Sequence, residues 1–186
     1  PLSQEMLPTN YVRAGLLRGL EQEAKLGVNP FKVGIVGSTD VHNSLTAIEE
    51  DNFFGKMPIH EPSPTRWEHA SKEGFGKTRY TWHYLGAGYA AVWATENTRE
   101  AIWDAMQRKE TFATSGPMIK LRFFGGYDLA PGDVNSADFV KQAYAKGVPM
   151  GGNLKPATGK APTFLVTALK DPKSGNLDRV QIVKGW

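Results

Sequence analysis

Asp40 and His42 stand two residues apart, directly behind a short apolar run formed by Val33, Ile35 and Val36. A carboxylate and an imidazole together suit one borderline divalent metal ion, Zn, Mn or Fe, without choosing among them. In an extended segment, residues i and i+2 point to the same side, so both side chains can face one ion. Ser38, Thr39 and Asn43 flank the pair and are of the types that orient metal ligands by hydrogen bonding from behind. The same residues allow a plainer outcome. Asp40 then caps a following helix and His42 is a satisfied loop histidine.

Other residues carry weaker signals. Arg79 presents a planar fork suited to the phosphate or carboxylate of an anionic small-molecule substrate, with ordinary loop solubility as the alternative. His60, His69 and His83 lie in an irregular stretch, and none has the His-x3-His spacing of a helical metal site. His69 and Glu73 could share a helical face. Lys77 reads as loop solubility. Cysteine is absent, which excludes disulfides, thiolate metal sites and a cysteine nucleophile. No Gly-x-Ser-x-Gly elbow surrounds Ser38 or Ser115, which argues against a serine hydrolase.

The elements that would position these residues can be taken in order. A helix is expected over Asn10–Leu26, capped by Thr9 or Asn10 and stopped by Gly27. Val12, Leu16, Leu20 and Ala24 form its apolar stripe, and Gly15 and Gly19 imply a close neighbour. Lys32–Val36 reads as a buried strand, and Asp40 and His42 would then lie at its carboxyl end, where α/β sheets keep their chemistry. Ser44–Glu50 reads as a short helix, and the acidic run Glu49-Glu50-Asp51 as a solvated surface. Residues 52–88 are broken by proline and glycine and resemble a lid or binding loop. Tyr89–Ala94 reads as a second strand. Asn97 and Glu100 make a capping-box-like start to a helix over Thr98–Lys109. Thr111–Gly116 reads as a turn, either anion-binding or joining two domains.

From Pro117 onward the pattern becomes β-like. Ile119, Leu121 and Phe123 alternate with Lys120, Arg122 and Phe124, and Gly125-Gly126 is expected to break the run. Asp138–Lys146 follows as a short helix or an irregular excursion. Pro162–Leu169 and Leu177–Val183 would pair as a hairpin about the turn 171–176. Residues 1–116 therefore read as one α/β part and residues 117–186 as a β-rich, sandwich-like appendage. Two adjacent parallel strands, Lys32–Val36 and Tyr89–Ala94, are expected in one α/β layer with the helices outside.

The 186 residues, 40% hydrophobic and 22% charged, have the composition of a globular protein. The formal charge of +3 comes from scattered basic residues with no Lys/Arg block, so nucleic acid is not an expected partner. No run approaches the roughly 20 apolar residues of a membrane helix, so a membrane is not expected either. Pro1–Glu5 lacks the pattern of a signal peptide, and a chain opening on Pro reads as a processed product or a fragment.

The block Gly37-Ser-Thr-Asp-Val-His-Asn43, followed by Glu49-Glu-Asp-Asn-Phe-Phe-Gly-Lys56, resembles the closing metal-site segment of an uncharacterised bacterial family. That family is related to the PHP (polymerase and histidinol phosphatase) metal-dependent phosphoesterases. Ala105–Gly116 resembles the same family's helix and Thr/Ser-Gly turn. The resemblance implies that residues 1–116 are the carboxyl-terminal portion of a PHP-like β/α barrel. It implies a divalent metal held in part by Asp40 and His42, and a hydrolase, a phosphoesterase, as the activity. The opening His-x-His motif of such enzymes is absent, so further ligands would come from sequence upstream or from an associated chain. A homo-oligomer is expected on the same ground, because an incomplete barrel leaves strand edges open. The alternative is a non-catalytic binding or structural module whose β-rich part recognises a carbohydrate or a partner protein.

Overall fold

The computed structural model describes residues 4–49, 51–60, 62–72 and 78–185. Glu50, Glu73 and Lys77 lie outside the described residues. Helix α1 spans Val12–Leu26, beginning two residues later than expected, with Tyr11 at its N-cap and no capping side chain. Gly27 ends it at φ 73°, its N–H donated to the Glu23 carbonyl at 2.8 Å. This is the left-handed stop that glycine adopts without a Cβ clash. The expected stripe does not form a core, since Val12, Leu16 and Leu20 remain exposed. Gly19 is the buried residue of α1, because the Asn29 side chain lies across it.

A two-stranded ribbon follows, β1 (Ala70–Lys72) and β2 (Thr78–Tyr80), paired antiparallel. Strand β3 (Tyr89–Val92), helix α2 (Arg99–Gln107) and strand β4 (Thr111–Thr114) form the next unit. The cap of α2 is Thr98, one residue after Asn97, and its hydroxyl accepts the Ala101 N–H at 3.3 Å. Ala101 and Ala105 are buried, while Met106 and Trp103, also on α2, stay exposed. Lys109, at φ 62°, turns the chain straight back. Thr111 therefore begins opposite Val92, and β4 pairs antiparallel with β3. The Thr111–Gly116 turn is thus a strand over its first four residues.

The expectation of two parallel strands is corrected here. Lys32–Val36 has no regular secondary structure and joins no ladder. It is tied to the β3–β4 sheet by a side chain instead: the Thr111 hydroxyl donates to the Ile35 carbonyl at 3.0 Å. Gly37 allows the close approach, since a Cβ there would stand 2.6 Å from the Tyr89 carbonyl oxygen. Val33, Ile35 and Val36 are all exposed, so this is not a buried strand. Ser44–Glu49 is likewise irregular rather than helical.

The tail builds its own core. Strand β5 (Lys120–Gly126) pairs antiparallel along its length with β7 (Thr163–Leu169) and, at its end, with the short β6 (Val148–Pro149). Helix α3 (Phe139–Lys146) covers this sheet. Phe124, Leu129, Phe139, Ala143 and Leu165 form the cluster between them. Phe124 is only 1% exposed and meets Phe139 and Tyr144 edge-on. Gly125-Gly126 does not break β5. A Cβ on Gly126 would stand 2.7 Å from the Lys146 carbonyl oxygen, so the pair lets the end of α3 close on the strand. Leu177–Val183 forms no strand, and the expected hairpin with β7 is absent: the partner of β7 is β5.

The fold is therefore a mixed helix-and-strand, α/β arrangement with three small antiparallel sheets among the described residues and no closed barrel. No helix of the described residues is long and apolar enough to cross a membrane.

Candidate metal site

Residues 38–43 form a tight turn just after Lys32–Val36. The Ser38 hydroxyl accepts the Asp40 N–H at 3.2 Å, and the Thr39 hydroxyl accepts the Val41 N–H at 3.3 Å. These short side-chain turns compete with any regular backbone pairing. Asp40 itself takes the left-handed conformation, φ 54°, which Asp tolerates better than most residues. Asp40 and His42 therefore do not share a side because the segment is extended; a turn brings them together. The loop is anchored to the chain twelve to fourteen residues on. The His42 N–H donates to the Lys56 carbonyl at 2.7 Å, and the Asn43 side-chain amide donates to the Gly55 carbonyl at 2.7 Å. On the other side, the Ala87 N–H donates to the Thr39 carbonyl at 3.0 Å.

The result is a facing pair. Asp40 Oδ1 lies 3.3 Å from His42 Nε2, and both side chains are about half exposed. Asp40 does not cap a helix, and His42 is not enclosed in apolar contacts. A third group completes the arrangement: the Lys56 ammonium sits 2.5 Å from Asp40 Oδ2 and is itself mostly buried. Lys56 first, and His42 after it, hold the Asp40 carboxyl below the usual carboxylate range. Asp40 is thus ionised at neutral pH, with the Lys56 ammonium on one of its oxygens.

The pair meets the geometric demand of a shared ion in part. Two ligand atoms on one ion at roughly 2.0–2.2 Å are about 3–3.5 Å apart when the angle between them is near tetrahedral or right. The 3.3 Å separation lies in that range. Catalytic sites hold at least three protein ligands. Among the described residues, no group of three or more His, Asp and Glu side chains converges. Ser38, Thr39 and Asn43 act on the backbone that carries the pair, and their hydrogen bonds run to main-chain groups rather than to the two ligand side chains.

Arg79 sits on a different element, in β2 opposite Ser71. Two basic residues that sequence reasoning did not single out are placed nearer the loop. Lys56 is one. Arg66 is the other, donating to the Phe54 carbonyl at 3.2 Å and standing over the Phe53 ring at 5.6 Å. The only signal for Lys56 was its place at the end of the Glu49–Lys56 block, because a single lysine twelve or more residues from its partner leaves no local pattern.

No curated protein matches the chain, and no solved structure does. A family model described as "Protein of unknown function (DUF3604)" matches residues 2–186, essentially the whole chain, and the chain belongs to that family.

Proposed function

We propose that this chain supplies part of the site of a metal-dependent hydrolase, a phosphoesterase related to the PHP enzymes. The observation that carries the reading is the 3.3 Å approach of Asp40 Oδ1 to His42 Nε2 on a loop fixed from two sides. In this reading Asp40 and His42 ligate a divalent Zn, Mn or Fe ion, and the remaining ligands come from sequence outside this chain or from an associated copy. A bound ion of this kind supplies a water of lowered pKa and a Lewis acid for the scissile group. The chain's own residues do the rest. Ser38 and Thr39 hold the loop turned, and Asn43 locks it to Gly55. Lys56, and Arg79 from the ribbon, would neutralise an anionic substrate.

The same lysine supports a second reading. With its ammonium on Asp40 Oδ2, the carboxylate has a cation without any metal. A non-catalytic module would keep that ion pair permanently.

Metal analysis by mass spectrometry separates the two, on the complete parent protein and on its Asp40→Ala and His42→Ala variants. The hydrolase reading expects each variant to lose bound Zn, Mn or Fe and hydrolysis of p-nitrophenyl phosphate while keeping the circular dichroism of the parent. Unchanged metal stoichiometry and turnover in both variants would leave the module reading standing.

A further inference from the structure

A charged network lies apart from the Asp40–His42 loop, where the β3–β4 sheet meets the tail. A cavity of about 430 Å³ opens there, lined by Trp93, Arg108, Glu110, Arg122 and Tyr144. That volume falls within the range of small-molecule sites, roughly 300–1,000 Å³. Contacts within the chain fix the direction of each of these side chains. The Trp93 indole N–H donates to the Leu121 carbonyl at 2.8 Å, which sets the plane of the ring. The Arg122 guanidinium lies over that ring, 3.5 Å from its centroid. Arg108 grips Glu110 Oε2 through Nε and a terminal nitrogen, each at 3.0 Å. Tyr144 donates its hydroxyl to Glu110 Oε1 at 2.7 Å.

The charges of this network are unequal, and the anion is the part that is closed off. The Glu110 side chain is only 4% exposed, and each of its oxygens already has a partner. A cationic ligand therefore finds no open acceptor. Arg108 answers the Glu110 charge in a two-point ion pair. Tyr144 adds no charge. Burial first, and the Glu110 carboxylate after it, push its hydroxyl above the ordinary value, so it stays protonated. The Arg122 guanidinium has Trp93 and Tyr144 as its neighbours among the described residues, and neither is an anion. Its positive charge is thus left without a counter-charge.

Arg122 also keeps the groups that an anion needs. Stacking on Trp93 uses the face of the guanidinium, while its five N–H donors lie in the plane. Those donors match the spacing of two oxygens on one phosphate or carboxylate. The Arg108 side chain, 47% exposed, brings a second guanidinium to the same cavity. Trp93 holds one of these cations and Glu110 the other before any ligand arrives, so binding costs little side-chain freedom.

We propose that this cavity binds an oxyanion, the phosphate or carboxylate group of a small ligand, on the N–H edge of Arg122 with Arg108 as the second cation. The proposal does not rest on metal ligation by Asp40 and His42.

The test titrates the full chain with inorganic phosphate and, separately, with acetate. The buffer contains EDTA, and chloride keeps the ionic strength constant, so that general screening does not change. The arginine Nε–H and tryptophan indole N–H resonances are followed by NMR. At least one of the two anions should shift the Arg122 signal saturably, with a Kd of about 10 mM or tighter, and the tighter of the two identifies the group preferred. Trp93 reports the same binding in variants that lack the Arg122 signal. Arg122→Met should weaken binding about tenfold or more, the loss of a charge-assisted pair. Arg122→Lys keeps the charge but loses the fork, should weaken binding at least about threefold, and is the decisive variant if Arg122→Met does not fold. Arg179→Met removes an equal charge from an exposed position elsewhere and should leave binding unchanged. Saturable binding of neither anion, or binding no weaker in the folded Arg122 variant than in Arg179→Met, overturns the proposal. Either result leaves the metal reading where it was, since EDTA has removed that ion from the experiment.

Discussion

Phe124→Ala offers the sharpest test of how the chain is held together. Phe124 is the only large side chain among the described residues with under 2% exposure. Its ring meets Phe139 at 5.9 Å and Tyr144 at 5.1 Å, both nearly perpendicular, and Leu165 faces it across the β5–β7 ladder. Truncating a buried Phe costs about 3–5 kcal/mol, through lost transfer energy and the cavity left behind. The two edge-on contacts, worth about 0.5–1.5 kcal/mol each, place this site toward the upper end of that range. With a total stability of about 5–15 kcal/mol, the variant loses a third or more of it. At a urea dependence of about 2 kcal/mol per molar, the midpoint falls by roughly 2 M. The assay is urea unfolding followed by far-ultraviolet circular dichroism, with Leu17→Ala on exposed α1 as control. Tyr144 donates to Glu110 Oε1 at 2.7 Å, and Arg122 stands 3.5 Å from the Trp93 ring centroid. The damage should therefore cross from the tail to β3 and β4 within one transition. A loss under about 1 kcal/mol, or one equal to the control, refutes the packing argument.

Two further outcomes follow from the same contacts. Glu110 is 3% exposed, with Tyr144 on one oxygen and Arg108 on the other at 3.0 Å, so Glu110→Ala should cost roughly 1–3 kcal/mol in the same urea assay. No loss would mean that this clamp is not formed in solution. The Asp171 carboxyl is held below its ordinary value of 3.8 by the Met118 and Lys173 N–H groups. A depressed folded-state pKa contributes stability that is present above the unfolded value and is lost as pH falls through the folded one. Acid unfolding of Asp171→Asn should therefore be less steep below about pH 4 than that of the parent, and identical slopes would refute the capping role.

How much of this was legible in the sequence depended on whether the signal was local. Gly27, α2, β5 and β7 were readable because a glycine stop, a 3.6-residue period and a two-residue alternation are written within a dozen residues. The stretch Lys32–Val36 was misread because an apolar run has the same composition whether it joins a ladder or merely lies against one. Ladder membership depends on pairing with other pieces of chain: β3 pairs with β4, and β5 with β6 and β7. Leu177–Val183 was misread in the same way. The Gly125-Gly126 step was misread in the opposite sense, because close approach by the end of α3, and not a turn, required the missing side chains.

The site shows the same division between local and distant causes. Asp40 and His42 were singled out from residue type, spacing and resemblance, and the reason given for their shared direction was an extended backbone. The actual reason is a turn with Asp40 at φ 54°, closed by hydroxyls two residues back and tied to residues 55 and 56. Sparsely populated backbone conformations persist where surrounding contacts over-determine them. Here hydrogen bonds to two separate segments, at Gly55 and Lys56 and at Ala87, hold the loop, and neither was legible from the loop itself.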